Sequence, residues 1–367
     1  MFDQGMLVPL AILPLLTSLA ISFLLTPLII KLAPRLGIVD DPKRRNHPAR
    51  LHEKPTPRGG GIPLFIAIIV SCLIFLPFDQ RLSAILLGAA IVVGVGYLDD
   101  RRDYSPYIRL LAQILAAGVV VAAGIGISFI SNPLGGIIDL SQPRIALNIL
   151  GETRHIWVLS ALFGFAWIVA LMNAVSWSSG VDGQLSGFAG ISALVIAILS
   201  LKFSADITQW PITILAVITA GAFFGFLPWH AYPQKIMPGF SGATLAGFML
   251  AVLSLLSTTK VGTLMIVLAI PLADAGFSVA RRVIAGKLPI WGDRKHLHHR
   301  LLDAGWSKPK IAAFYWLASA FLGILALYLN AEAKLYTIIG IVLFVGLLLI
   351  WLNYLLQSQK PQDHANG

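Results

Sequence analysis

The feature that most constrains this chain is a series of long apolar runs separated by short polar breaks. About eleven runs recur, most of them near the roughly 17–25 residues that cross a bilayer as a helix. We predict transmembrane helices at residues 7–30, 61–78, 83–98, 107–130, 157–174, 187–201, 211–228, 242–257, 261–281, 311–329 and 335–356. The predicted fold class is all-α and polytopic, with residues 1–360 as one membrane domain and 361–367 as a short cytoplasmic tail.

The composition excludes an ordinary soluble domain. Of 367 residues, 57% are hydrophobic and 12% are charged, whereas about 25% are charged in soluble domains. The net charge of +10 fits loops that face anionic lipid or an anionic substrate, so we predict no nucleic-acid partner. Cys72 stands alone, so neither a disulfide nor a cysteine metal site is expected.

The loops predict the orientation in the membrane. Most Lys and Arg residues fall on one set of alternating loops, above all 31–60, 99–106 and 282–310. The positive-inside rule then places the N-terminus outside and the C-terminus in the cytoplasm. Most of the histidines and carboxylates fall on the same loops, whereas the outer loop 131–156 is chemically plain. We therefore expect a site assembled from cytoplasmic loops.

Residues 293–301, Asp-Arg-Lys-His-Leu-His-His-Arg-Leu, carry the densest polar cluster. We predict a water-facing site for an anion such as a phosphate or diphosphate. His296 and His299 share one face if the stretch is helical. The alternative is a solvated basic loop that obeys the positive-inside rule. Three clustered histidines favour function, because imidazole handles protons and phosphate contacts near neutral pH.

Two further stretches carry charge at helix ends. Asp99, Asp100 and Asp103 repel one another there, which a divalent cation or a role in proton transfer would offset. The alternative is an acidic turn neutralised by Arg101 and Arg102. Residues 52–61 join cations to three glycines, which indicates either a phosphate cradle or a plain turn.

Two more carboxylates are candidates for the site. Asp182 lies between glycines and is expected to be exposed enough to act as a ligand. Asp274 lies within the ninth predicted helix. An ionisable residue in a membrane span is a functional candidate by default, although pairing with Arg281 or Arg282 is an alternative.

Together these stretches resemble the polyprenyl-phosphate N-acetylhexosamine-1-phosphate transferases, a family that includes MraY, WecA and TagO. Residues 52–61 look like its first cytoplasmic motif and residues 98–103 like its aspartate-rich motif. Residues 271–274 and 293–301 look like its ninth helix and His-rich loop, the latter closer to the WecA and TagO branch. The resemblance covers roughly residues 24–305.

The resemblance implies an MraY-like fold in the bacterial inner membrane. It also implies transfer of an N-acetylhexosamine 1-phosphate from a UDP-sugar, such as UDP-N-acetylglucosamine, to polyprenyl (undecaprenyl) phosphate. UMP is released, Mg²⁺ or Mn²⁺ is the cofactor, and the product starts a lipid-linked glycan of the cell wall or of lipopolysaccharide. Membrane lipids are expected to surround the helices. A homodimer formed through membrane helices is a further expectation.

The resemblance also implies roles for individual residues. Asp99, Asp100 and His298 would be catalytic, with Asp99 acting on the lipid phosphate as base or orienter. Asp100 and Asp182 would hold the metal. The substrate-binding residues would be His52, Lys54, Asn173, Asp182, Asp274, Arg294, His296 and His299.

Two of the motifs depart from the family pattern. In the third loop Ser176 and Ser179 stand where the family has Asn and Asp, and in the fourth loop Phe240 stands at the metal-binding Asp. His230 stands where the family has an Asn upstream of the fourth-loop motif. One interpretation is an active transferase with a rearranged site. The other is an impaired member that binds a nucleotide sugar or lipid phosphate, or that regulates an active transferase. A transporter is disfavoured because the charges lie on one face.

Overall fold

The computed structural model of this chain describes residues 8–43, 54–132, 135–149, 152–202, 209–256, 260–288 and 294–358. After a π-helical turn at Val8–Ile12, the helices are α1 Leu13–Leu36, α2 Gly61–Phe75, α3 Gln80–Arg102, α4 Pro106–Ala122, α5 Val158–Trp177, α6 Gln184–Lys202, α7 Trp210–His230, α8 Gly239–Leu255, α9 Lys260–Val267, α10 Ala269–Ile284, α11 Leu297–Asp303, α12 Lys308–Ala326 and α13 Ala331–Ser358. The predicted tail 361–367 lies outside these residues.

The helices confirm an all-α polytopic membrane protein. Within the described ranges, seven helices are long and apolar enough to cross a membrane, or eight if the bent pair α9–α10 is one span. The shorter apolar helices α2, α4 and α8 coincide with three more of the predicted runs. Each predicted run therefore coincides with a helix or with the bent pair.

The predicted single helix at 261–281 is wrong in one respect, because it breaks at Leu268. Its two halves, α9 and α10, meet at an angle of 82°. Pro271 has no backbone N–H to donate to the carbonyl of Val267. The hydroxyl of Ser319 donates to that carbonyl instead, at 3.2 Å.

The predicted helix at 107–130 is too long at its C-terminal end. Helix α4 ends at Ala122, and Gly124 follows with a φ of +78°, a conformation that ends a helix and suits glycine. Two antiparallel hairpins occupy much of the region from there to α5. Their strands are β3 Phe129–Ser131, β4 Ile137–Asp139, β5 Arg144–Ile149 and β6 Glu152–Trp157.

The core lies among α6, α7 and α8, whose residues are mostly buried inside the protein. Helices α1 and α13 bury few of their residues inside the protein, as expected of helices that face lipid. Helix α7 approaches α1 so closely that a Cβ on Gly225 would lie 2.2 Å from the carbonyl oxygen of Leu19. This packing fixes the helix ends from which the polar loops project.

Candidate active site

The first and fourth polar loops are joined by backbone hydrogen bonds. A short antiparallel pair, β1 Val39–Asp40 with β2 Thr56–Pro57, closes the first loop. Met237 N donates to Pro57 O at 2.7 Å, and Gly60 N donates to Met237 O at 3.1 Å. A Cβ on Gly60 would lie 2.7 Å from Met237 O, so this approach requires glycine. The backbone N–H of Gly60 is therefore already donated within the chain, to Met237 O and Arg58 O.

Asp100 lies beside this junction, in the last turn of α3, and is buried. Its carboxylate accepts hydrogen bonds from the Ser241 hydroxyl at 2.6 Å and from the backbone N–H groups of Phe240 at 2.7 Å and Ser241 at 3.3 Å. Arg58 Nε lies 3.5 Å from Asp100 Oδ1. Both carboxylate oxygens are therefore engaged by groups of the chain.

Asp99 is also buried and has a second arginine as its partner. Arg109 Nε lies 2.6 Å from Asp99 Oδ1, which also accepts from Tyr104 N at 3.0 Å. Asp99 Oδ2 is buried and has no hydrogen-bond partner among the described residues. We call Asp99, Asp100, Arg58 and Arg109 the acidic cluster. Its arginines come from the first loop (Arg58) and from helix α4 (Arg109), not from the adjacent Arg101 and Arg102 of the alternative interpretation.

Phe240 completes this cluster with an aromatic ring. The guanidinium carbon of Arg109 lies 5.1 Å from the ring centroid, within the range of a cation–π contact. Phe240 therefore contributes its backbone N–H to Asp100 and its ring to Arg109, at the position where the resemblance implies a metal ligand.

His296 and Asp274 form a buried pair. His296 Nδ1 lies 2.9 Å from Asp274 Oδ2, and Leu297 N donates to Asp274 Oδ1 at 2.8 Å. Asp274 therefore accepts from the first turn of the short helix α11 and orients its N-cap residue, His296. Trp177, the last residue of α5, stacks on the His296 ring with 6.0 Å between ring centroids.

His298 and His299 lie next to this pair, with 4.2 Å between their ring centroids. They are 1% and 3% exposed, so the predicted water-facing arrangement is wrong for these rings. The close neighbour is Gly180 of the third loop, where a Cβ would lie 2.3 Å from His298 Nε2. We call His296, His298, His299 and Asp274 the histidine cluster.

Burial governs the protonation of these two histidines. It lowers the pKa of His298 well below its usual range, with the neighbouring histidines adding to the effect. Burial, followed by the charges of His296 and Arg294, lowers the pKa of His299 to about 4. Both rings are therefore neutral at pH 7. Both ring nitrogens of His298 and Nδ1 of His299 have no hydrogen-bond partner among the described residues.

The third loop holds its carboxylate in a different way from the prediction. Asp182 is 3% exposed, so the expectation of an exposed ligand is wrong. Lys308 Nζ lies 3.3 Å from Asp182 Oδ1, and Gln234 N donates to Oδ2 at 3.2 Å. The first turn of α12 and the fourth loop thus cover this side chain. His230, four residues before Gln234, is hydrogen-bonded to Ser186, with 2.8 Å between His230 Nδ1 and the Ser186 hydroxyl oxygen.

Asn173 connects the two clusters through neighbouring helices. Its side-chain amide donates to Gln113 Oε1 at 2.7 Å. Gln113 lies one turn beyond Arg109 on α4, and Asn173 lies one turn before Trp177 on α5. The Asn173–Gln113 hydrogen bond therefore joins α4, which carries Arg109, to α5, which ends at Trp177 beside the histidine cluster.

Two of the remaining predicted site residues lie at the exposed surface. Lys54 is exposed. Arg294 is half-exposed, with its NH2 group 3.1 Å from Asp303 Oδ1. His52 falls outside the described residues.

Comparison with known proteins places this chain in a family. The family described as Glycosyl transferase family 4 matches residues 82–258. The chain is 30% identical over 349 residues to the decaprenyl-phosphate N-acetylglucosaminephosphotransferase of Mycobacterium leprae, covering 86% of this chain and 83% of that protein. It is 28% identical to the probable undecaprenyl-phosphate N-acetylglucosaminyl 1-phosphate transferase of Bacillus subtilis, covering 91% and 89%.

This chain belongs to the polyprenyl-phosphate hexosamine-1-phosphate transferase family. The phospho-N-acetylmuramoyl-pentapeptide-transferase of Staphylococcus aureus, at 25% identity over 86% of this chain and 98% of that protein, is a further relative.

The family resemblance implies a divalent metal, and the carboxylates here do not fit one. Within the described part of this family member, no group of three His, Cys, Asp or Glu side chains could hold a metal ion. Asp100 already accepts three hydrogen bonds and has Arg58 as an ion-pair partner, which occupies most of the roughly four lone-pair sites of a carboxylate. Asp99 and Asp182 each have a cation within 3.3 Å.

Sequence reasoning did not find several residues that build this transferase-family site. Arg109 pairs with Asp99, and Lys308 pairs with Asp182 from a position 126 residues later. Arg300 NH1 donates to Leu349 O at 3.2 Å and to the side chain of Asn353. Helix α13 thus anchors the helix that carries the histidines. The signal for Arg109 was available, since it lies just beyond the acidic motif.

Proposed function

We propose that this chain transfers a hexosamine 1-phosphate, N-acetylated in the relatives named N-acetylglucosaminyl transferases, from a UDP-sugar to polyprenyl phosphate and releases UMP. An oxygen of the lipid phosphate attacks the sugar-linked phosphorus, and the bond from that phosphorus to the UMP oxygen breaks. UMP leaves with the bonding electron pair, and a new diphosphate joins lipid to sugar. The product would start a lipid-linked glycan of the cell envelope.

The observation that carries this proposal is the histidine cluster. A buried pair of neutral rings has ring nitrogens without partners in the described structure, and it adjoins the loop that ends at Asp182. A neutral imidazole offers one N–H donor. We assign His298 and His299, with His296 oriented by Asp274, to hold the diphosphate. Phosphoryl transfer depends on such positioning and electrostatic stabilisation more than on covalent chemistry.

We assign Asp99 to the lipid phosphate. Its Oδ2 is the oxygen of the acidic pair that has no partner among the described residues, so it is the atom left to accept a proton from or orient a phosphate. Asp100 positions the fourth loop through Ser241. Lys54 and Arg294, at the exposed edge, would steer the anionic donor toward the site. His52 and Asn173 complete the proposed binding set.

The resemblance implies Mg²⁺ or Mn²⁺ as cofactor, so the assay of the proposed activity compares both metals with EDTA. Purified full-length protein in detergent is incubated with undecaprenyl phosphate and a panel of UDP-sugars, with Mg²⁺, with Mn²⁺ or with EDTA. UMP release that requires both substrates establishes the activity and identifies the donor. Absence of release with every donor, from protein that binds UDP, contradicts the proposal.

A specific observation favours a second candidate function. Phe240 occupies a family metal position, and three carboxylates are paired with cations of the chain. A member so altered could bind a nucleotide sugar or lipid phosphate without turnover, and regulate an active transferase. Binding of UDP together with no UMP release in the same experiment would support this function.

The membrane arrangement is also a proposal. We place the protein in a bacterial inner membrane with the N-terminus outside and both clusters and the C-terminus in the cytoplasm, as one domain of residues 1–360. A homodimer would form through membrane helices. Single cysteines introduced in loops of a Cys72→Ser protein test the sidedness by labelling with an impermeant thiol reagent. Labelling of Lys54→Cys from outside intact cells would contradict it.

A further inference from the structure

We propose that the loop carboxylates of this chain are neutralised by its own cations, Arg58, Arg109 and Lys308, so that the site takes its nucleoside diphosphate ligand without a divalent metal. This inference rests on the proposed function for the identity of the ligand. The statement about the metal is independent of turnover, because it concerns the unliganded protein.

The acidic cluster gives the first line of support. The two arginine nitrogens lie 2.6 Å from Asp99 Oδ1 and 3.5 Å from Asp100 Oδ1. Both carboxylates are fully buried, and a buried carboxylate without a counter-charge is strongly disfavoured. Arg58 and Arg109 therefore fill the electrostatic role that a metal ion would have. A divalent cation would have to approach two guanidinium groups, which it repels.

The hydrogen bonds to Asp100 give the second line of support for a site without a metal. Its oxygens accept from the Ser241 hydroxyl, Ser241 N and Phe240 N, and Arg58 is the fourth partner. A metal ligand needs a free lone pair directed at the ion. Because the donors at Ser241 and Phe240 belong to the first turn of α8, freeing Asp100 would require that helix to shift.

The side chain of Phe240 gives the third line of support. A phenyl ring cannot coordinate Mg²⁺, which takes oxygen ligands. The ring instead lies 5.1 Å from the guanidinium carbon of Arg109 and attracts that cation. The residue that replaces the family aspartate thus stabilises the cation that replaces the metal. Phe240 and Arg109 form one unit with Asp99.

The third loop completes the pattern. Lys308 Nζ lies 3.3 Å from Asp182 Oδ1, and Asp182 is buried. Ser179 is the other position where the resemblance implies a carboxylate, and its hydroxyl donates to the carbonyl of Ser176 at 2.6 Å. Each carboxylate considered for the metal therefore has a cationic partner from the chain. The ligand's phosphates are left to the N–H donors of the histidine cluster and to Lys54 and Arg294 at the exposed surface.

The test measures Mn²⁺ binding to the unliganded full-length protein in detergent by electron paramagnetic resonance, in which bound Mn²⁺ loses the signal of the free ion. We expect no loss of signal and no shift of the thermal unfolding midpoint with Mn²⁺ or EDTA. Stoichiometric binding of Mn²⁺ by the wild-type protein would overturn the inference.

A second arm measures UDP binding by calorimetry in EDTA and in Mg²⁺. We expect equal affinity in both. A loss of about tenfold or more in EDTA, equivalent to about 1.4 kcal/mol, would overturn the inference. Failure of the proposed function would be distinguishable, because it appears as absent UMP release and leaves both metal measurements interpretable.

Matched variants sharpen the result. Arg109→Ala removes the nearest counter-charge of Asp99, so Mn²⁺ should raise the unfolding midpoint of this variant but not that of Arg109→Lys. The double substitution Phe240→Asp with Ser179→Asp restores two carboxylates and should gain Mn²⁺ binding. Equal responses of Arg109→Ala and wild-type protein to Mn²⁺, with the midpoint rising in both, would contradict the inference.

Discussion

The acidic cluster and the histidine cluster are linked through α4 and α5 but differ in how their buried polar atoms are satisfied. In the acidic cluster, Asp99 Oδ2 is the carboxylate oxygen without a partner in the described structure. In the histidine cluster, both ring nitrogens of His298 and Nδ1 of His299 lack one. Each unpartnered buried polar atom costs about 1–3 kcal/mol. The difference indicates that the histidine cluster is prepared for a ligand and the acidic cluster is largely complete by itself.

The structural causes of this difference lie in the supporting helices. Ser241 and Phe240 open α8 against Asp100, so the backbone itself satisfies that carboxylate. The histidines instead lie on α11, which is only seven residues long and is held by Asp274 at one side and Asn353 at the other. If these two supports keep the histidines in place, substitutions at Asp274 and Asn353 should displace α11.

Asp274→Ala should have the largest effect. It removes the acceptor for Leu297 N and the partner of His296 together, and breaking a buried pair of this kind costs about 3–5 kcal/mol. Thermal unfolding in detergent should show a lower midpoint, and UMP release should fall. Asp274→Asn keeps an acceptor for Leu297 N and should lose less stability. Equal midpoints for Asp274→Ala and wild-type protein would show that Asp274 does not support α11.

His298→Ala should remove most activity with a smaller change in stability. Loss of one preorganised donor to a reacting group lowers kcat by about 10²–10³-fold. UMP release at saturating substrates measures this effect. His298→Gln retains an N–H donor and should recover part of the rate. Unchanged UMP release from His298→Ala would remove the histidine cluster from the proposed mechanism.

The sequence predicted the membrane helices well because bilayer thickness fixes their length independently of tertiary contacts. It could not predict pairings such as Asp182 with Lys308, because those partners meet only after α12 packs against the third loop. Burial of the histidines was also missed, since clustered His, Lys and Arg are typical of a solvated loop. The break at Leu268 had a signal in Pro271, which lacks the N–H that a continuous helix needs.

Asn353→Leu should have an intermediate effect. Its side chain accepts from Arg300 NH1, and a hydrogen bond to a charged group contributes about 1.5–3 kcal/mol. The variant should loosen α11 from α13 and raise KM for the UDP-sugar more than it lowers kcat. The neighbouring exposed residue gives the control, because Tyr354→Phe should change neither constant. Identical kinetics in Asn353→Leu and Tyr354→Phe would contradict the anchoring role.

The smallest expected effect is the change in the free energy of unfolding per pH unit. The pKa of His299 is lowered to about 4 by burial, so between pH 6.5 and 4 the unfolded chain binds a proton that the folded chain does not. The free energy of unfolding should therefore be highest above pH 6.5 and decrease as the pH falls, by at most about 1.4 kcal/mol per pH unit for this histidine. Unfolding midpoints measured across this range test the prediction.

His299→Gln separates this histidine from the other titrating groups, because glutamine cannot gain a proton in this range. The variant's midpoint should fall less steeply between pH 6.5 and 4 than that of the wild-type protein. His298, which is also held neutral by burial, should account for part of the remaining slope. If the two proteins lose stability in parallel, His299 is protonated as easily in the folded state as in the unfolded state. The histidine cluster would then be open to water. Water would satisfy its ring nitrogens, so the two clusters would no longer differ in their unpartnered polar atoms.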